Sequence, residues 1–98
     1  MSYAVLVEKE QRFLILQTLL NDTDRSVNDR MLCGALKSFG HGMGQDAMQR
    51  HLHWLKEAKC VEVEELGGLW VATLTSSGAE IVRGDATLPG IAHPADVG

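Results

Sequence analysis

The sequence predicts an α+β fold in one domain: a three-helix core containing a helix-turn-helix, a two-stranded hairpin and a short closing helix. Three observations predict it. Apolar residues recur at helical spacing in three segments between Glu8 and Lys59. Two runs of strand-forming residues, Val61 to Leu66 and Leu69 to Leu74, flank Gly67-Gly68, a strong hairpin signal. Directly after the hairpin, Thr75 or Ser76 can cap a short helix reaching about Arg83.

The first helix is expected from Glu8 to Asn21. Phe13, Leu16 and Leu20 share a face that Leu14, Ile15 and Leu19 widen, which predicts a central helix. Asn21-Asp22-Thr23-Asp24 are turn and cap formers that end it. Ser26 is the expected N-cap of the second helix, with Asp29 at its third position favouring the positive helix end. Met31 or Leu32, Ala35, Leu36 and Phe39 continue it at helical spacing, and Gly40-His41-Gly42-Met43-Gly44 makes a sharp turn.

The third helix is expected from Gln45 to about Lys59. Met48, Leu52 and Leu55 form its apolar stripe, with Ala47, His51 and Trp54 beside it. The opposite face carries Asp46, Gln49, Arg50, His53, Lys56 and Glu57. In the hairpin, Val61 and Val63 alternate with Glu62 and Glu64, and Trp70, Ala72 and Leu74 alternate with Leu69, Val71 and Thr73. Residues 1–83 make the domain. Residues 84–98, with Pro89 and Pro94, read as an extended C-terminal arm without a core of its own.

Composition narrows the function. The chain has 98 residues, 45% of them hydrophobic, and two prolines, so it is expected to fold around one core. No apolar run approaches the roughly 20 residues that span a bilayer. The N-terminus lacks the charged start of a signal peptide, so a cytoplasmic location without membrane contact is expected. Two cysteines form no disulfide framework, and Cys33 and Cys60 read as small buried hydrophobes. The net charge is −4, which opposes strong sequence-blind DNA binding. Its distribution is uneven: residues 1–24 carry −2, residues 25–60 carry +3 and residues 61–98 carry −5. All the excess positive charge lies in the helix-turn-helix segment.

Helix, helix, helix, hairpin and closing helix is the order of a winged helix. With Leu74-Thr75-x-x-Gly78 in place, the segment from Glu8 to Arg83 resembles winged helix-turn-helix regulators of the multiple-antibiotic-resistance and phenolic-acid types. The resemblance implies that Leu74 closes the wing and Thr75 caps the last helix. A nearer resemblance is to small winged-helix proteins of Mu-like phages and prophages. It rests on the short length and on the ending Gly84-Asp85-Ala86-Thr87-Leu88-Pro89-Gly90-Ile91-Ala92-His93-Pro94. Metal-sensing relatives of the fold carry paired cysteines in a helix. Only Cys33 stands in the second helix here, so metal sensing does not carry over.

A winged helix presents its third helix to a DNA groove. Gln reads adenine and Arg reads guanine, so Gln45, Gln49, Arg50, His53 and Lys56 are the candidate groove contacts, with Lys37 and His41 near the DNA backbone. The same face also reads as the solvated side of an amphipathic helix. Glu62, Glu64 and Glu65 would repel phosphates, so the wing is expected to contribute little. Useful affinity would then require a homodimer on two half-sites of double-stranded DNA.

His51 and His53 are two residues apart on a helix and point in different directions, so no metal or other cofactor is expected. Trp54 and Trp70 read as core or interface anchors. No nucleophile motif or phosphate-binding loop is present, and no enzyme is expected. The leading expectation is a dimeric phage-type transcriptional regulator that binds DNA. The alternative is a winged helix used as a protein-interaction module in phage assembly or host takeover. The acidic wing and the apolar tip of the arm, Leu88-Pro89-Gly90-Ile91, motivate that alternative.

Overall fold

The first helix, α1, spans Tyr3–Asn21 in the computed structural model, which describes residues 2–97. It starts five residues before Glu8 because the Ser2 side chain accepts a hydrogen bond from the Val5 N–H at 3.2 Å. Phe13, Leu14, Ile15, Leu16 and Leu19 are all buried. Four of these are consecutive, so more than one side of the helix is covered. It is the central helix that its wide apolar arc predicts.

After a turn closed by Asp22, the chain forms an unpredicted strand, β1 (Ser26–Asn28). Ser26 is therefore not a helix cap. It pairs with Thr73, and their hydroxyls are 2.9 Å apart. The cap of α2 (Asp29–Ser38) is Asn28, whose side chain accepts from the Met31 N–H at 2.9 Å. Asp29 is thus the first residue of α2, not its third.

Helix α3 (Gln45–Glu57) follows the glycine turn. It stops short of Lys59, which takes a left-handed φ of 66°. Strands β2 (Val61–Leu66) and β3 (Leu69–Leu74) form the expected hairpin, with Leu66 opposite Leu69. Gly67 and Gly68 both take positive φ, which a two-residue hairpin turn of this kind requires. The sheet has three antiparallel strands in the order β1-β3-β2, so β3 is central.

Helix α4 (Ser76–Arg83) is capped by Thr75, one of the two caps the sequence offers. The Thr75 hydroxyl accepts from the Gly78 N–H at 3.1 Å and donates to the Lys59 carbonyl at 2.7 Å. Leu74 is buried, as a residue closing the wing should be. The architecture is four helices with a three-stranded antiparallel sheet, compatible with a winged helix. No described helix is long and apolar enough to cross a membrane.

The described part of the C-terminal segment, residues 84–97, differs from the extended arm expected over residues 84–98, of which Gly98 lies outside the described residues. Ile91 is 5% exposed and belongs to the core, and the Ala92 N–H donates to the Lys9 carbonyl at 3.1 Å. Gly90, at φ 98°, lies against the Trp54 ring, and its carbonyl accepts from Arg12 Nη1 at 3.0 Å. The Arg12 guanidinium also stacks on Trp54, 4.1 Å from the ring centre. A 3₁₀ turn at Pro94–Asp96 ends the segment. The apolar tip that suggested a partner site is largely used inside the molecule.

Candidate nucleic-acid interface on the third helix

Helix α3 buries Met48, His51, Leu52 and Leu55 and exposes Asp46, Arg50, His53, Lys56 and Glu57. The amphipathic division is the one its spacing predicts. The structure does not treat the seven candidate residues alike.

Arg50, His53 and Lys56 stand in solvent. His53 Nε2 lies 3.7 Å from Glu57. Lys37, at the end of α2, is exposed. His41 is drawn inward: its Nε2 is 2.6 Å from Glu10 of α1, so its ring ties the glycine turn to α1.

Gln45 and Gln49 are held by a residue that sequence reasoning had assigned a different role. Asp29 is fully buried and, among the described residues, has no cation within ion-pair distance. Its Oδ2 accepts from Gln49 Nε2 at 2.8 Å and from Gln45 Nε2 at 3.0 Å. Its Oδ1 accepts from the Arg30 N–H at 3.0 Å. Burial alone would raise the Asp29 pKa. Hydrogen bonds from Gln49, Gln45 and the backbone N–H groups of Trp70 and Arg30 outweigh burial and hold it below the usual carboxylate range.

This settles the amide orientation. A carboxylate only accepts, so each glutamine must turn its NH₂ toward Asp29. Reading adenine with both amide atoms would need that NH₂ on the DNA side. Gln45 and Gln49 instead join α2, α3 and the hairpin, and Gln45 Nε2 also reaches the Gly68 carbonyl at 3.4 Å. Their i, i+4 spacing and the acid at the start of α2 were visible in the sequence. Their convergence was not.

An open groove of about 640 Å³ runs along the exposed side of α3. It is lined by Asp46, Gln49, Arg50, His53, Trp54, Glu57 and Trp70. Both tryptophans are half-buried, as expected of anchors. Asp46 and Glu57 offset the charges of Arg50 and Lys56, so the face is near neutral.

On the inner side, His51 Nε2 is 2.9 Å from Gln11 Oε1. Burial, with the charge of Arg12 and further Arg50 against Glu8, lowers the His51 pKa to about 4. The unfolded chain binds a proton at His51 near pH 6.5, and the folded chain only near pH 4. Stability contributed by neutral His51 is therefore complete above pH 6.5 and lost as pH falls toward 4. Denaturant titrations at pH 7 and pH 4.5 should differ by on the order of 2 kcal/mol from this group. His51→Gln should flatten that interval, and an unchanged slope would count against a neutral buried His51.

Burial also raises both thiols. Cys60 is buried and rises by burial alone, while Cys33, only half-buried, rises by burial and the charge of Asp29. Neither is an activated nucleophile.

Comparison with known proteins adds a lineage. No family model matches the chain. It is 33% identical over 89 residues to the uncharacterized protein gp26 of Escherichia phage Mu, covering 91% of this chain and 92% of that protein. The chain belongs to the Mu gp26 family. A second relative, an uncharacterized protein of Haemophilus influenzae strain Rd, is 30% identical over 76 residues, covering 76% of this chain and 74% of that protein. The Mu gp26 match leaves too few residues unaligned to miss any part of α2 through α4. Family membership therefore bears out the link to Mu-like phages that the Gly84 to Pro94 ending suggested.

Proposed function

We propose that this member of the Mu gp26 family is a winged-helix protein that binds double-stranded DNA through α3, as a homodimeric phage regulator. The observation that carries the reading is the position of the free cations. Arg50 and Lys56 stand exposed on α3, while Arg30 and Lys37 stand exposed on α2. Phosphate neutralisation by such side chains supplies most of the affinity of a helix-turn-helix for DNA. The element order and the sheet order β1-β3-β2 support the winged-helix assignment. Arg50 is the base-reading residue in this scheme, and Asp29 holds α3 at its angle to α2 and the wing.

The test is a titration of short duplexes against wild type and Arg50→Ala. Wild type should bind with a steep salt dependence, and Arg50→Ala should bind roughly tenfold more weakly. Because Arg50 is exposed, the melting temperature should stay put. Equal affinity of the two proteins for every duplex would remove this face from the DNA reading.

A second reading has its own observation. Trp54 and Trp70 line one groove with Arg50, and Trp and Arg dominate the energetics of protein interfaces. The exposed Glu62, Glu64 and Glu65 of β2 also turn an acidic wing toward any partner. Under that reading α3 and the wing dock a phage or host protein. Absence of any duplex binding at low salt, with fold intact, would favour it.

A further inference from the structure

A cleft of about 400 Å³ lies between α1 and α3, lined from α1 by Glu8, Gln11 and Arg12 and from α3 by Arg50, His51 and Trp54. The Arg12 side chain is only 14% exposed. One of its N–H groups, on Nη1, donates to the Gly90 carbonyl. Its Nε is buried and, among the described residues, has no acceptor. Its Nη2 faces Glu8 Oε2 at 3.6 Å, beyond hydrogen-bond reach. Nε and Nη2 form one edge of the guanidinium, the kind of edge that holds a carboxylate or phosphate with two parallel bonds. Buried donors nearly always find acceptors, so this edge needs an explanation. Burial disfavours the Arg12 charge, and Glu8 offsets only part of that cost.

More donors meet in the same cleft. An amide oxygen only accepts, so neutral His51 donates from Nε2 to Gln11 Oε1. The Gln11 NH₂ is left with no acceptor among the described residues. The exposed Arg50 adds a second guanidinium. Arg12 and Arg50 outnumber Glu8, so the cleft is positive. In the groove between α3 and the wing, Asp46 and Glu57 outnumber Arg50 instead. An anion is therefore drawn to the α1 side of α3 and not to the wing side.

We propose that this cleft is a phosphate site and that, on duplex DNA, it grips a backbone phosphate beside the groove that α3 enters. The second half rests on the DNA reading given above; the first does not. A backbone phosphate presents acceptor oxygens and no donor, the complement of the Arg12 edge, the Gln11 amide and Arg50. Arg50 lines both the cleft and the wing-side groove, so it joins this contact to the DNA-facing side of α3. A contact of this kind fixes where the protein sits on the duplex and carries no sequence information. Glu8 is the opposing charge. Its side chain is 52% exposed and can turn to water when a phosphate enters.

Inorganic phosphate titrated into the full chain at low salt tests the site itself, read by the NMR signals of the Arg12 Nε–H and the Gln11 side-chain amide. Both signals should shift and saturate, and Glu8→Gln should saturate at roughly threefold lower phosphate. Signals that stay put, or that chloride moves equally at the same ionic strength, would overturn the site. A short duplex tests the source of the phosphate. Arg12→Lys keeps the charge and loses the fork, and should bind every sequence roughly fivefold more weakly. Arg12 also holds Gly90, so that variant can lose affinity through the fold. A gain cannot arise that way: Glu8→Gln should bind duplex more tightly than wild type, and by more than the charge-matched Glu64→Gln on the wing. Duplex binding that Glu8→Gln leaves unchanged overturns the backbone contact and leaves the DNA reading standing. Phosphate binding without any duplex binding keeps the site, makes a free phosphate its ligand and sinks the DNA reading.

Discussion

Gly78→Ala is expected to unfold a large fraction of the protein near physiological temperature. Gly78 is buried in the first turns of α4. A Cβ there would collide with the Cys60 carbonyl oxygen and come within 2.7 Å of Leu74 Cδ1. The carbonyl belongs to backbone and has no rotamer to escape into. It is also bound in place, since it accepts from the Thr75 N–H at 3.1 Å. Alanine would gain about 1 kcal/mol of helix propensity over glycine. Forcing α4 off the β2 entrance costs on the order of 3 kcal/mol or more, so the clash wins. For a chain of this size that lowers the melting temperature by roughly 10–20 °C. Gly34→Ala is the opposite case: Gly34 is exposed within α2 and nothing lies near its absent Cβ. That substitution should stabilise by roughly 0.5–1 kcal/mol. Thermal melts of the two variants should therefore move in opposite directions. A Gly78→Ala melt at the wild-type temperature would show that α4 is not packed this closely on Cys60.

Asp29→Ala is expected to cost about 3 kcal/mol at pH 7, through a different mechanism. The carboxylate is buried, and charged hydrogen bonds of this kind contribute about 1.5–3 kcal/mol each. Removing it strands the Trp70 and Arg30 N–H groups and frees Gln45 and Gln49 from one another. The partly exposed glutamines can turn to water, which keeps the loss below the sum of the bonds. Because the folded-state pKa of Asp29 is depressed, its contribution is present above about pH 4 and lost as pH falls through the folded value. Acid thus acts twice, first through His51 and then through Asp29. Urea titration of Asp29→Ala should show a lower midpoint with an unchanged slope. A midpoint equal to wild type would mean that the carboxylate is not the link between α2, α3 and the hairpin.

How much was legible can be judged from particular residues. Phe13 to Leu19, Met48, Leu52, Leu55 and the Gly67-Gly68 turn express local rules of periodicity and backbone freedom, so their elements were readable. Strand β1 was not, because three residues carry no period and Ser26-Val27-Asn28 becomes a strand only by pairing with β3. The docked arm was likewise hidden. Ile91 is buried because Lys9, Arg12 and Trp54, far away in the chain, lie against its neighbours. On the candidate interface, Arg50, His53 and Lys56 were placed correctly in solvent. Gln45, Gln49 and His41 read as equally free, but each is tied to an acid 16, 20 or 31 residues away.

The sequence by itself determined the helices, the hairpin, a cap at Thr75 or Ser76 and the confinement of the excess positive charge to residues 25–60. Each of these depends on neighbours a few positions away, through backbone hydrogen bonding and the alternation of apolar and polar side chains. Only the tertiary structure decided which polar groups of α3 remain free, that Ile91 joins the core with Ala86, Leu88, Ala92 and Val97 packed against it, and that Asp29 is an internal hub. Those outcomes depend on burial. A buried carboxylate must collect donors wherever the packed chain brings them, and no local pattern records which ones it will find.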